Sequence, residues 1–99
     1  MSEVAISELK QAVESQHGGV ATFVQAVPVR EMHMDETVWD GAVHIFKLNG
    51  HPTANLAYAW SYELPDGKRR FFAVLHVPPI ASPAAAVRAA IVAEAKANQ

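Results

Sequence analysis

The stretch from Thr53 to Val77 constrains the fold most, because it alternates in side-chain size on both sides of a turn signal. Large residues occupy every second position of 53–64, as is typical of a β-strand. The residues LPDGK follow and fit a three-residue hairpin loop in which Gly67 has a positive φ. A second strand over 69–77 completes the hairpin. Counting outward from the loop predicts four cross-strand pairs: Glu63 with Arg69, Tyr62 with Arg70, Trp60 with Phe72 and Tyr58 with Val74.

The other elements follow from periodicity and from breaker residues. Apolar residues at helical spacing predict a first helix that Ser2 caps, and Gly18 and Gly19 end it. A polar loop over 31–36 separates two segments rich in β-branched and aromatic residues, which are predicted strands. The dipeptide Asn49-Gly50 favours a hairpin turn there, or a longer loop since Pro52 follows. The predicted elements are a helix over 2–16, strands over 20–30, 38–48, 53–64 and 69–77, and a helix over 84–97.

Short connections between successive strands favour an antiparallel meander. Pro28 lacks a backbone N–H and therefore belongs on an edge strand or at a bulge. Ser82 and Pro83 are a typical helix start. We therefore predict one α+β domain over residues 1–99: a four-stranded antiparallel meander sheet flanked by N- and C-terminal helices on one face (α-β-β-β-β-α).

This order is similar to the α-β-β-β-α layout of double-stranded-RNA-binding domains, with one strand added. Those domains carry lysines at the start of their last helix. The corresponding residues SPAAAVRAA have no basic side chain before Arg88. The resemblance therefore implies a layout and no RNA-binding activity.

Composition excludes several classes of function. The formal net charge of −2 argues against a general binder of nucleic acid, which needs a basic surface. The absence of cysteine excludes disulfides, thiolate nucleophiles and cysteine-based zinc sites. The N-terminal residues MSEVAISELK show no apolar run of the kind found in signal peptides or membrane spans. We expect a cytoplasmic protein that has no cofactor and no membrane partner.

The two faces of the predicted hairpin differ in character, although both are apolar at their centres. Ala57, Ala59 and Ala73 lie on the face with small side chains, which suits close helix packing. If both helices cover that face, the aromatic face is open and available for binding. The predicted binding residues are Tyr58, Trp60, Tyr62, Arg70, Phe72 and His76. The alternative is that these aromatic side chains pack against the alanine-rich last helix and form ordinary core.

We expect a small interaction module that self-associates or binds a protein partner through this aromatic sheet face. One alternative is that the same face binds single-stranded nucleic acid or a small ligand. A second alternative is a small enzyme that uses His44 or His76. Asp40 shares a face with His44 but lies about 13 Å away along a strand, beyond hydrogen-bond reach. We therefore expect no catalytic residue, and no metal site, since the donors in MHMDE alternate in direction.

Overall fold

The structure is a computed structural model that describes residues 6–97, apart from the side chains of residues 33, 38 and 95–97. Its elements are α1 (Ile6–His17), β1 (Val20–His33), β2 (Glu36–Asn49), β3 (Leu56–Glu63), β4 (Arg69–Leu75) and α2 (Pro83–Ala97). The strands form one antiparallel sheet in the order β1-β2-β3-β4. The α+β class and the antiparallel sheet are therefore confirmed, while the predicted Ser2 cap lies outside the described residues. Neither helix in this part of the chain is both long and apolar enough to cross a membrane.

The β3–β4 hairpin has the predicted register, with Glu63, Tyr62, Trp60 and Tyr58 opposite Arg69, Arg70, Phe72 and Val74. The amide of Leu64 donates to the carbonyl of Lys68 across 2.7 Å, and Gly67 has a φ of 87°. The turn chemistry of LPDGK thus sets the pairing of the whole hairpin.

The two helices pack on opposite faces of the sheet. On one face, which we call the small-residue face, α1 buries Leu9 and Val13. The same core cluster contains Ala21, Phe46, Leu48, Ala54, Ala57, Ala59 and Ala73. On the other face, the aromatic face, α2 buries Ala86 and Val87. That second cluster contains Val29, Val43, Tyr58 and Trp60.

The predicted placement of both helices on one face is therefore wrong. Both faces of the β3–β4 hairpin are apolar at their centres. Each face is shielded from water only if a helix covers it, so one helix packs on each. The alternative in which the aromatic residues pack against the last helix is the arrangement in the structure.

Helix α2 is fixed to both edges of the sheet. Ser82 caps it, because its Oγ accepts the amide N–H of Ala85 across 3.1 Å. Arg88 bonds Glu31 on β1, and Glu94 forms an ion pair with Arg70 on β4. Since β1 and β4 are the edge strands, these two contacts hold the helix across the full width of the sheet.

The side chain of Arg70 packs along its own strand. Its guanidinium lies over the ring of Phe72, 4.9 Å from the centroid. Arg70 and Phe72 are two residues apart on one strand and therefore share a face. The ion pair with Glu94 on α2 accompanies this contact.

The β1–β2 hairpin is longer than predicted. Strand pairing continues to His33 and Glu36, so the predicted loop over 31–36 is wrong. Met34 and Asp35 form the tight turn, with φ values of 51° and 66°. Aspartate tolerates this left-handed conformation but methionine is not a usual turn residue, so the sequence carries only a weak turn signal here.

Much of this hairpin extends beyond the strands next to it. The paired part of β2 and β3 covers only His44–Lys47 of β2. We call residues 26–42 the β1–β2 arm. Pro28 lies on edge strand β1, as predicted, and register shifts interrupt β1 between Phe23 and Gln25 and between Glu31 and Met32.

The connection from β2 to β3 is a loop over 50–55, so Asn49-Gly50 does not form a two-residue hairpin turn. The Nδ1 atom of His51 accepts the amide N–H groups of Thr53 and Ala54 across 3.1 and 3.0 Å. Because this side chain satisfies two loop amides, the loop holds a defined shape without strand pairing.

Candidate functional site

The aromatic face is core and not an open surface. Tyr58 and Trp60 are each 3% exposed beneath α2. Tyr62, Phe72 and His76 are half-buried, and Arg70 is paired with Glu94. The premise that this face is open is therefore wrong. A binding role for these six residues stays a prediction, but it loses the argument that supported it.

Tyr58 and His76 form a hydrogen-bonded pair on this face. The Tyr58 hydroxyl lies 2.5 Å from Nδ1 of His76. Burial raises the pKa of the Tyr58 hydroxyl above its ordinary value. Because Tyr58 is almost fully buried, its hydroxyl needs a partner inside the protein, and His76 supplies one. The pair is thus explained by folding alone.

A cleft of about 350 Å³ lies on the opposite, small-residue face. It forms where the first turn of α1 meets the three strands β2, β3 and β4. Its lining consists of Ile6, Leu9, Ala42, His44, Trp60, Ser61 and Arg69. Helix α1 packs over β4, β1 and β3 and hardly contacts β2, so part of β2 is left uncovered. The cleft is therefore a consequence of a short helix on a wide sheet.

His44 is the least satisfied polar group of the cleft. Its Nδ1 atom is buried and has no hydrogen-bond partner among residues 6–97. Burial lowers the pKa of the His44 imidazole below the ordinary value of 6.5, so the ring is neutral near pH 7. The ring of Phe23 lies beside it, with centroids 5.7 Å apart. Because Nδ1 is inaccessible to solvent, it is a cost to the fold and not a donor that a group in the cleft can reach.

Ser61 and Arg69 supply the other polar groups of the cleft. Ala59 lies opposite His44, and Glu63 lies opposite Arg69. Ser61 stands between Ala59 and Glu63 on β3, so register places its hydroxyl between the other two groups.

Arg69 is the unpaired cation of this cleft within the described residues. Its cross-strand neighbour Glu63 forms no ion pair with it there, because the four ion pairs of residues 6–97 join other side chains. The cleft thus combines one cation, one hydroxyl and one neutral imidazole with an apolar wall.

Asp40 does not act on His44. Its carboxylate pairs with Arg30 across 3.3 Å on the exposed arm. A catalytic dyad would need a hydrogen bond between acid and imidazole. Asp40 therefore supplies no acid–base partner for His44.

The β1–β2 arm exposes a second feature, an apolar surface. Phe23 is 37% exposed, and Ala26, Pro28 and Ala42 are exposed on the same small-residue face. We call these four residues, three on the arm and Phe23 just before it, the arm face. Within residues 6–97, β1 and its turn hold most of the exposed large apolar residues: Val20, Phe23, Val24, Met32 and Met34. A contiguous exposed apolar patch is a feature of interaction sites, so the arm face is a candidate for one.

Sequence reasoning missed Ser61 and Arg69 as site residues, and it considered His44 only for an enzyme. One signal was present in the sequence. Ser61 is the hydroxyl that follows Ala57 and Ala59 on an otherwise apolar face. No group of three or more metal-binding side chains occurs in the described part of the chain.

Comparison with known proteins assigns no relative to this chain. No protein-family model, curated protein or solved structure matches it. The function is therefore inferred from the arm face and the cleft themselves.

Proposed function

We propose that this protein is a small interaction module that self-associates through the arm face. The observation that carries the proposal is the contrast between the two sides of the arm. One side packs beneath α2 through Val29 and Trp39. The other side leaves Ala26, Pro28 and Ala42 exposed. We take the chain to act as one domain and expect it in the cytoplasm.

Both edges of the sheet are poorly suited to strand addition, which favours association through a face. Pro28 removes an N–H from edge strand β1, and two register shifts distort that strand. On the other edge, the Nε2 atom of His17 lies 2.7 Å from the carbonyl oxygen of Ala73 on β4. These features disfavour the addition of a further strand, so the open face is the better surface for a partner.

A second copy of the chain fits this face in shape and charge. Ala26, Pro28 and Ala42 have short side chains, so two copies can approach closely at this part of the arm face. The exposed pair Arg30 and Asp40 lies at the outer end of the same face. A two-fold axis would bring equal numbers of both charges to each copy, which makes the surface self-complementary. An interface of standard size would bury about 800 Å² per partner.

Sedimentation over a range of protein concentrations tests the proposal. The wild-type chain should form a dimer that dissociates on dilution. Ala26→Lys places a charge in the arm face and should leave only monomer. Gln25→Lys adds the same charge to an exposed neighbour on the opposite face and should keep the dimer. A wild-type monomer at every concentration, or equal dissociation by both variants, would overturn the proposal.

A further inference from the structure

We infer that the cleft between α1 and the sheet binds a small organic carboxylate with a short apolar body. This inference goes beyond self-association and does not depend on it. It rests on three features of the cleft: an unpaired cation, a hydroxyl next to it in the register, and an apolar wall.

The polar side of the cleft suits a single anionic group. Arg69 presents a planar guanidinium, which binds carboxylates through two parallel N–H donors. The Ser61 hydroxyl lies next to it in the register and can donate a further hydrogen bond. Neutral His44 lines the cleft farther along the sheet, because its cross-strand neighbour Ala59 lies four residues from Glu63, the neighbour of Arg69.

The apolar side of the cleft limits the size of the ligand. Ile6, Leu9 and Ala42 form this wall, and Ile6 is 42% exposed although it is large and apolar. The volume of about 350 Å³ lies near the lower end of the range for small-molecule sites, roughly 300–1,000 Å³. A ligand of a few carbon atoms beyond the carboxylate would bury both this wall and its own chain.

The charge of the cleft argues against polyphosphate or nucleic acid. Arg69 is its one cation among the described residues, and burial keeps His44 neutral near pH 7. Polyphosphate recognition needs several cations or a row of backbone N–H donors. A monoanion matches the single guanidinium.

Hexanoate is a suitable probe, and hexanamide is its neutral counterpart. Both should be titrated into the isotope-labelled chain by NMR, with the ring signals of His44 and the amide signal of Ser61 as readouts. Hexanoate should shift both sets of signals, and hexanamide should bind at least about tenfold more weakly, since hydrogen bonds to charged groups are the stronger class. Inorganic phosphate, which has no apolar body, should also bind more weakly.

Arg69→Gln should weaken hexanoate binding about tenfold or more, because it removes the charge and keeps most of the side-chain volume. Arg30→Gln makes the same change on the same sheet face outside the cleft and should leave binding intact. Ser61→Ala removes the hydroxyl and should also weaken hexanoate binding, while the smaller side chain leaves the strand unchanged.

Three results would overturn the inference. They are equal affinity for hexanoate and hexanamide, signal changes confined to residues outside the cleft, and equal losses in Arg69→Gln and Arg30→Gln. The titration is run at a protein concentration at which sedimentation shows only monomer, because Ala26 lies opposite His44 and Ala42 belongs to both the cleft and the arm face. Failure of self-association in the wild type would therefore leave this result unaffected, and the two proposals are tested separately.

Discussion

Arg88 on α2 donates its Nε–H to Oε1 of Glu31 on β1 across 2.6 Å, and the two partners differ sharply in burial. The Glu31 side chain is 11% exposed, whereas that of Arg88 is 66% exposed. The hydrogen bond to Glu31 raises the pKa of the Arg88 guanidinium, so the cation is permanent. This contact neutralises a carboxylate that the fold has buried between the arm and α2.

The unequal burial predicts unequal effects of removing either partner. Arg88→Gln should lower the free energy of unfolding more than Glu31→Gln, because it leaves a buried carboxylate without a cation. Glu31→Gln leaves only a solvated guanidinium. The double variant should be more stable than Arg88→Gln alone. Urea unfolding of the three variants measures this order.

Arg30→Gln is the matched control, since the Arg30–Asp40 pair is exposed on both sides and should contribute little. Equal destabilisation by Arg88→Gln and Glu31→Gln would contradict the assignment of Glu31 as the buried partner.

The burial of Trp60 tests whether the aromatic face is part of the core. It stacks on Phe72 at 5.4 Å between ring centroids and meets Trp39 edge-on at 6.1 Å. Trp60→Ala should therefore destabilise the protein by about 3–5 kcal/mol in chemical unfolding. In a Trp39→Phe background, Trp60 should emit at short wavelength and resist quenching by iodide. Long-wavelength, readily quenched emission would show that α2 does not cover this face.

The sequence was informative where local chemistry sets the structure. Alternation and the LPDGK turn give the register of the β3–β4 hairpin, because each cross-strand pair follows from the turn by counting. Ser82 and Pro83 likewise define the start of α2 through a local cap.

The positive φ of Gly67 in the LPDGK turn gives a direct test of this turn. A Cβ atom at Gly67 would have no other atom within 4 Å, but the φ of 87° disfavours every residue that has a Cβ. Gly67→Ala should cost on the order of 1 kcal/mol of unfolding free energy. Gly67→Asn should cost less, since asparagine tolerates positive φ better. Equal thermal stability of the wild type and Gly67→Ala would refute the role of this backbone conformation.

The sequence was uninformative where the outcome depends on distant parts of the chain. The helical pattern of α2 shows that it needs a partner, but it does not say which sheet face supplies one. Trp60 and Ala59 are both apolar, so either face could accept a helix. The cleft is less predictable still, since Arg69, His44 and Ile6 border one space only after α1 has packed on the sheet.

Burial of His44 should make the stability of the protein depend on pH. Burial lowers the pKa of its imidazole in the folded protein below the value of 6.5 that applies in the unfolded chain. The unfolded state therefore binds a proton more readily than the folded state. The contribution of neutral His44 to stability is complete above pH 6.5 and is lost as the pH falls through the folded pKa. Urea unfolding of the wild type should show this acidic decline, and His44→Gln should show a shallower one. NMR titration of the His44 ring should give a midpoint below 6.5. A midpoint at or above that value would mean that the ring is solvated and that the cleft does not bury it.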